Sequence, residues 1–475
     1  MKNVSAPIKK STTKDLVVPG RQFSYNEVVE YLDQNWTTNQ GDTALSVMKK
    51  LDQAFGNVSQ KLNTILITGT NGKSLTTNFT VKLLREENLV VGSFYSPHIL
   101  TYNERFALNS DIIANKTFTD LANEVINTAQ TLDLKANSFE LLTMMALLYF
   151  KNNNVDVAVL EVSKSGVADA TTICNPKLVA ITRITEQNTQ ITEEENKAII
   201  TKVLGIVKPN TQVVSADQSK LNLQIMQEIT EKQGGVWSMP IRKLAPLQYP
   251  FEQLHGRCAA LAERIAYIFV NTFANKNALV VANSLLTKQK GQRGRPTLEA
   301  KRQSELNPKK TVDQFWKEIL ATLPGRFQLL DKEKPTILLD NASNLDAFAN
   351  VLLGIRLLHY QRPLKGLTVV LGFNNPNLDL TEFLKLLRYF FKKTSGQVIV
   401  SPVAPMPGHT VTTWDVEKVT NDIKSMKIKA KSAKNFKEAF EAAQKSVDER
   451  HGLVVITGSP SIVTEYWLYK GIKKI

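Results

Sequence analysis

Seven consecutive residues constrain this chain more than any others. Thr68-Gly69-Thr70-Asn71-Gly72-Lys73-Ser74 stands between a β-branched apolar run, Leu62 to Thr68, and a stretch of helical spacing, Ser74 to Glu87, marked by Phe79, Leu83 and Leu84. Two glycines at a strand-to-helix junction let the backbone bend so that its N–H groups and the positive helix end face one point, a place for anionic oxygens. In this G-x-x-G-K-S form, Lys73 would reach the β- and γ-phosphates of ATP and the Ser74 hydroxyl would hold Mg²⁺. Ile67 occupies the place of the first glycine of the longer G-x-x-x-x-G-K-[ST] pattern. The bland alternative is a glycine-rich turn with a chance lysine, and the flanking strand and helix argue against it. The expected phosphate cradle is therefore Gly69, Thr70, Asn71, Gly72, Lys73 and Ser74.

The periodicity around this loop sets the fold class. Leu89 to Tyr95, the near-continuous apolar Val155 to Val162, Lys177 to Ile184 and Gln212 to Ala216 read as strands, and Phe139 to Phe150 as an apolar helix. Buried strands alternating with helices predict a parallel sheet covered on both faces. A helical pattern runs from about Phe251 to Leu286. A second alternating block follows, with strands Thr336 to Asp340, Leu367 to Phe373, Gln397 to Ser401 and Leu453 to Thr457, and helices Asp379 to Lys392 and Phe436 to Val447. The expected architecture is α/β: a P-loop parallel-sheet nucleotide-binding domain over 23–287, a basic linker over 288–311, and a smaller doubly wound Rossmann-like domain over 312–475, with a flexible basic tail over 1–22.

Glu161 closes the strand that begins at Val155 and should project at the sheet's carboxyl edge, where open α/β sheets bind ligands. A strand-ending glutamate is often merely solvated. Beside a phosphate loop it becomes a carboxylate for Mg²⁺, which takes one or two such ligands together with phosphate oxygens.

Composition narrows the setting. Met1 to Gly20 carries no apolar run of the kind a secretory signal needs, and no stretch of about 18 apolar residues predicts a membrane span. Cys174 and Cys258 cannot build a disulfide framework. A cytoplasmic, reducing setting is expected. Of the net charge of +15, a surplus of +6 falls between Lys288 and Lys310, where eight basic residues face two acidic ones. Arg293-Gly294-Arg295-Pro296 in that segment matches the short core with which some disordered segments enter the minor groove of DNA. Four residues are a weak signal, and a solvated basic linker is the favoured reading.

Several segments, taken in order, resemble one family. They are Gly69-Thr70-Asn71-Gly72-Lys73; Ser96-Pro97-His98 with Tyr102-Asn103-Glu104-Arg105; Ser138-Phe139-Glu140 with Thr143 and Ala146; Val155 to Val162; and Asp169-Ala170-Thr171. Pro324-Gly325-Arg326-Phe327-Gln328, Asp340 with Ala342 and Asn344, and Ile456-Thr457-Gly458-Ser459 complete the series. Together they are similar to the folylpolyglutamate synthetase/dihydrofolate synthetase branch of the Mur ligases, colinear from about Phe23 onward. The resemblance implies an ATP-dependent amide ligase that phosphorylates a folate-type carboxylate and lets the amine of L-glutamate attack the acyl phosphate. It implies Lys73 and Glu161 as the catalytic pair, Ser74 and Glu161 as metal ligands, Arg326 as the arginine that the second domain brings to the phosphates, and Asp340 as the aspartate near the nucleotide.

The departures gather at the chemistry. The family's E-V-G-x-G-G-R-x-D stands here as Glu161-Val162-Ser163-Lys164-Ser165-Gly166-Val167-Ala168-Asp169. Its Asp-His pair aligns with Gln187-Asn188, which makes Asn188 the expected neutral replacement for a metal-binding histidine. Its K-A-G-I aligns with Val203-Leu204-Gly205-Ile206, with Lys202 one residue early, and its A-H-N-P with Ala342-Ser343-Asn344-Leu345. These losses predict one well-held Mg²⁺ and slow chemistry. They also keep open a relative that binds ATP and regulates without ligating, and nucleic-acid association through 288–310. His98 reads as a packing or capping residue and Phe106, Phe139 and Phe150 as core. A monomer is expected.

Overall fold

The computed structural model describes residues 20–36, 43–162, 166, 169–185, 192–217, 219–238, 252–274, 323–373, 378–404 and 414–474. The basic segment 288–311 with its Arg-Gly-Arg-Pro core, most of the tail before residue 23, and Asn188 lie outside them.

The first sheet is built from β1 (Thr64–Thr68), β2 (Val91–Phe94), β3 (Phe106–Leu108), β4 (Asp111–Ile112), β5 (Val157–Glu161), β6 (Pro176–Ile181), β7 (Gln212–Ser215) and β8 (Val236–Ser238). Its order is β4-β3-β2-β5-β1-β6-β7-β8. Strands β2, β5, β1, β6, β7 and β8 run parallel, and β3 and β4 add an antiparallel ribbon at one edge. Every residue of β1 and β5 is buried, the signature of central strands covered on both faces. The covering helices are α1 (Tyr25–Gln34), α2 (Thr43–Ala54), α3 (Lys73–Glu86), α4 (Asn115–Thr131), α5 (Ser138–Asn152), α6 (Glu193–Leu204), α7 (Lys220–Lys232) and α8 (Glu252–Thr272). Helix α3 is buried from Ser74 to Leu84 because α8 packs along its outer face.

The second sheet contains β9 (Gln328–Leu330), β10 (Thr336–Leu339), β11 (Leu367–Leu371), β12 (Gln397–Val400), β13 (Lys429–Ser432) and β14 (Leu453–Thr457), in the order β13-β12-β11-β14-β10-β9. All pairings are parallel except that of β9 with β10. Its helices are α9 (Leu345–Gln361), α10 (Leu380–Phe391), α11 (Val416–Ser425), α12 (Phe436–Lys445) and α13 (Pro460–Tyr469). On α10 the buried residues are Phe383, Leu384, Leu387 and Phe390, a single 3.6-period stripe. Phe383 packs edge-on against Phe373, with ring centroids 5.1 Å apart, and Phe373 stacks on Trp414 at 4.5 Å.

The α/β reading holds, with one refinement. Antiparallel strands border both sheets; in the first, Asn109 and Ser110 adopt positive φ and turn the chain straight back from β3 to β4, a local reversal that apolar periodicity does not register. One apolar cluster runs without interruption from α3 and α8 to Leu323, Phe327, Phe348 and Ile355, so the two sheets share a core. The carboxyl ends of β1, β5 and β6 meet the turn around Arg326 and the start of α9 through the Arg326–Ser74, Asn71–Asn344 and Arg183–Asp346 contacts.

Candidate functional site

The phosphate loop is shaped by two close approaches. Gly69 has φ +127°, and a Cβ there would stand 2.2 Å from Thr182 Oγ1 and about as close to the Arg183 backbone as contact forbids, at 2.9 Å. Gly72 has φ +86°, and a Cβ would meet Cys258 Sγ at 2.8 Å. Neither position admits a side chain, for reasons of both space and torsion. Thr70 fastens the loop to the end of β6: its N–H donates to the Arg183 carbonyl at 2.7 Å, and its Oγ1 accepts from Thr185 N–H at 3.0 Å. Helix α3 then begins at Lys73, whose Nζ donates to the Gly69 carbonyl at 2.8 Å and the Thr70 carbonyl at 3.4 Å.

Three predicted residues from three parts of the chain meet one turn along α3. Ser74 Oγ donates to Glu161 Oε2 at 3.1 Å, and Arg326 Nη2 donates to Ser74 Oγ at 2.9 Å. Glu161 is fully buried at the end of β5 and also accepts from Ser96 N–H at 3.2 Å. Its second oxygen, Oε1, has no hydrogen-bond partner among the described residues. Burial raises the carboxyl above the ordinary glutamate range, against the opposing pull of the Arg326 and Lys73 charges.

Arg326 is aimed by the turn that carries it. Gly325 has φ +65° and Phe327 φ +49°, a conformation unfavourable for a bulky residue. Two anchors hold it there. The Phe327 ring presses on Gly354, where a Cβ would come within 2.2 Å, and Phe327 N–H donates to Asp340 Oδ2 at 2.7 Å. Asp340 Oδ1 accepts from Ala342 N–H at 2.8 Å. Both Asp340 oxygens are thus committed to backbone, and withdrawal from water pushes its carboxyl up to about 6.

Asn71 points across the cleft rather than into the cradle. Its amide exchanges hydrogen bonds with Asn344 at 3.0 and 2.9 Å and donates to Asp346 Oδ2 at 2.8 Å. Arg183, just beyond β6, forms a salt bridge with the other Asp346 oxygen. Arg183 and Asp346 were not singled out from the sequence, and Ser96 only as part of the Ser96-Pro97-His98 block. Arg183 carried a readable signal, since it follows its strand end closely, as Glu161 closes β5.

Lys202 is exposed, and its carbonyl lies against Gly166, where a Cβ would approach to 2.7 Å. Val203, which aligns with the lysine of that family's K-A-G-I, is half-buried against the apolar cluster that includes Ile200 and Leu204 of α6. His98 Nδ1 accepts from Arg105 Nε at 2.9 Å, and the His98 ring lies 4.4 Å from that of Tyr102. Among the described residues no three His, Cys, Asp or Glu side chains cluster as a metal site, and no helix is long and apolar enough to cross a membrane.

Fold and site together define an α/β protein with a glycine-bent strand–loop–helix in its first sheet and a second, smaller, mostly parallel sheet packed against it. No family model matches the chain. It is 29% identical over 313 residues to the dihydrofolate synthase/folylpolyglutamate synthase of Bacillus subtilis, covering 63% of this chain and 69% of that protein. Three further curated relatives align over less than half of their own lengths. The Mycobacterium tuberculosis folylpolyglutamate synthase complexed with ADP superposes with a TM-score of 0.72 at 20% identity, over 94% of this chain and 98% of that one. The Yersinia pestis bifunctional folylpolyglutamate synthase/dihydrofolate synthase complexed with AMPPNP and Mn gives 0.68 at 18% identity, over 95% and 100%. At these identities the structures show the fold. The chain is thus similar in sequence to a curated dihydrofolate synthase/folylpolyglutamate synthase and in fold to solved folylpolyglutamate synthases.

Proposed function

We propose that this protein is an ATP-dependent ligase that joins L-glutamate to a folate-type carboxylate through an acyl phosphate. One observation carries the reading: Arg326, from the second sheet's leading turn, meets Ser74 and Glu161 at the head of the phosphate loop. Phosphoryl transfer asks a protein for positioning and charge neutralisation more than for covalent chemistry. Gly69 and Gly72 give the loop its bend, with Thr70 and Asn71 fixing its two flanks. Lys73 supplies the cation at the β- and γ-phosphates. Arg326 adds a second cation on the far side, and Asp340 holds the turn that presents it.

The residues also fit a hard divalent cation. Glu161 Oε1 is a buried carboxylate oxygen beside the Ser74 hydroxyl, without a hydrogen-bond partner among the described residues, and Mg²⁺ takes such oxygens together with phosphate. Ser74 and Glu161 would hold the ion, with Asn188 as a neutral third ligand; bound there, it would neutralise charge on the transferring phosphoryl group. One such ion is the expectation, since Val203 faces the core where the family's lysine would stand. The further parts of the reading are domains spanning 23–287 and 312–475, a monomeric state, a cytoplasmic setting and no nucleic-acid role for 288–311.

The test is release of ADP and phosphate from Mg·ATP in the presence of L-glutamate and a panel of pteridine and non-pteridine carboxylates, with the amide product identified by mass. Nucleotide binding with no amide product from any acceptor would reject the ligase.

A further inference from the structure

Between Lys418 and Lys437 the chain carries seven lysines and a single acidic residue, Asp422. All seven lysines are exposed, and none forms a salt bridge among the described residues. Four of them, Lys424, Lys427, Lys429 and Lys431, converge with Gln397 on a groove of about 490 Å³ along the outer edge of the second sheet. Lys424 comes from the last turn of α11, Lys427 from the turn that follows, and Lys429 and Lys431 from one face of the edge strand β13. The bordering acids bond elsewhere: Glu417 Oε1 accepts from Ser432 Oγ at 2.7 Å and Glu438 Oε2 from Lys434 N–H at 3.3 Å.

The groove is remote from the phosphate loop. Gln397 and Lys429 begin β12 and β13 as a registered pair, and β10, β14, β11, β12 and β13 all run parallel. The groove therefore opens at the amino end of the sheet's edge, whereas Asp340 and the Arg326 turn stand at the carboxyl end of β10, four strands across. Edge strands carry lysine to block pairing with another chain, which would account for Lys429 and Lys431. Lys424 complements the negative end of α11. Neither reason applies to Lys427, which holds φ 62°. At five other such turns this chain uses asparagine, at Asn57, Asn88, Asn109, Asn154 and Asn210. Here a cation takes that place and lines the same groove.

Clustered exposed ammonium groups attract a polyanion, and its class follows from what stands between them. No exposed large apolar side chain among the described residues falls between Lys418 and Lys437, so the apolar anchor of a membrane-lying surface is missing. No exposed aromatic ring is there to stack single-stranded bases, and lysine is depleted from protein–protein interfaces. Point charges without planar forks or stacking platforms suit phosphate oxygens contacted without reading the bases. The net charge of +15 agrees with such a partner. We propose that the groove of Lys424, Lys427, Lys429 and Lys431 binds the phosphate backbone of a duplex nucleic acid, independent of base sequence. The groove belongs to a different stretch of chain from 288–311 and does not depend on the ligase reading.

The experiment follows the fluorescence anisotropy of a short labelled duplex DNA of arbitrary sequence with the full chain across a salt series. The test variant carries Lys424→Gln, Lys427→Asn, Lys429→Gln and Lys431→Gln. The control removes the same charge from exposed lysines around the first sheet, through Lys116→Gln, Lys135→Gln, Lys220→Gln and Lys232→Gln. The test variant binds the duplex at least about 10-fold more weakly, and its slope of log affinity against log salt is shallower by about 2 to 4. The control changes affinity by less than about 3-fold, since charges beyond a Debye length are screened. Saturating Mg·AMPPNP at matched ionic strength leaves duplex binding unchanged. Should the edge-strand changes cause aggregation, Lys424→Gln with Lys427→Asn decides alone, with a slope shallower by about 1 to 2. Absence of salt-dependent binding by the parent, equal losses in test and control, displacement by the nucleotide, or dependence on residues 288–310 alone each overturn the proposal. So does retention on phosphatidylserine vesicles that exceeds duplex binding and is lost in the test variant, which would make the groove a lipid-headgroup surface.

Discussion

Arg326 Nη2 lies 2.9 Å from Ser74 Oγ, a hydrogen bond across 252 positions that ties the second sheet's leading turn to the helix bearing the phosphate loop. The same Ser74 hydroxyl donates to the buried Glu161. Domain closure and the candidate metal site therefore share one side chain, and substitutions on either side of the cleft should report on both.

Arg326→Lys should lower turnover by about 100-fold while changing nucleotide affinity far less. The lysine ammonium cannot reproduce a fixed planar fork, and a misplaced cation near a transferring phosphoryl group forfeits transition-state stabilisation. Steady-state kinetics beside calorimetry with AMPPNP separates the two effects. Equal losses in both would make Arg326 a simple binding residue.

Lys73→Ala should weaken ATP binding by at least about 10-fold without lowering the melting temperature appreciably. The side chain is half-buried and its bonds within the loop are to backbone carbonyls, so its main contribution is charge at the phosphates. Unchanged affinity in a folded variant, measured by calorimetry, would remove the phosphate loop from the argument.

Arg183→Ala and Asp346→Ala should couple. The two side chains form a partly exposed salt bridge across the cleft, and Asp346 also accepts from Asn71 of the loop. A double-mutant cycle on stability should give a coupling of about 0.5–1 kcal/mol, diminished at high salt. Strictly additive effects would mean the contact does not hold the two parts together.

Glu140→Gln should flatten the dependence of stability on pH. Glu140 is buried at the third position of α5, where Oε2 accepts from Asn137 N–H and Oε1 has no partner among the described residues. Burial pushes its carboxyl up to about 7. The fold thus favours the protonated form, so the stabilisation is complete below the unfolded value near 4.5 and is lost as pH rises towards 7. The loss should amount to at most about 3 kcal/mol. Glutamine preserves the capping box and carries no charge to bury. Urea midpoints at pH 5 and 7.5 should differ less in the variant than in the parent; identical slopes would show that Glu140 does not titrate in this window.

Much of the fold was legible because buried parallel strands leave an unmistakable apolar run, as in Val155 to Val162, and because glycine punctuates the loop after β1. Element ends were less legible. Helices α1 and α6 start at the capping pairs Ser24 with Glu27 and Thr192 with Glu195, a sequence signal that periodicity alone passes over. Strands β8 and β13 were missed for a different reason: they lie at sheet edges with exposed residues, so they carry no continuous apolar run.

By itself the sequence determined the alternation of strand and helix, the phosphate loop and the carboxylate that closes β5, because each is a local pattern written within a few residues. Only the tertiary structure decided which distant groups meet. That Asn71 reaches Asn344 and Asp346, that Asp340 commits both oxygens to the Arg326 turn, and that Arg326 meets Ser74 beside Glu161 are outcomes of how two sheets pack around a shared core. Charge pairing and burial depend on what surrounds a side chain in space, and neighbours in space are fixed by the close packing of the whole molecule, not by spacing along the chain.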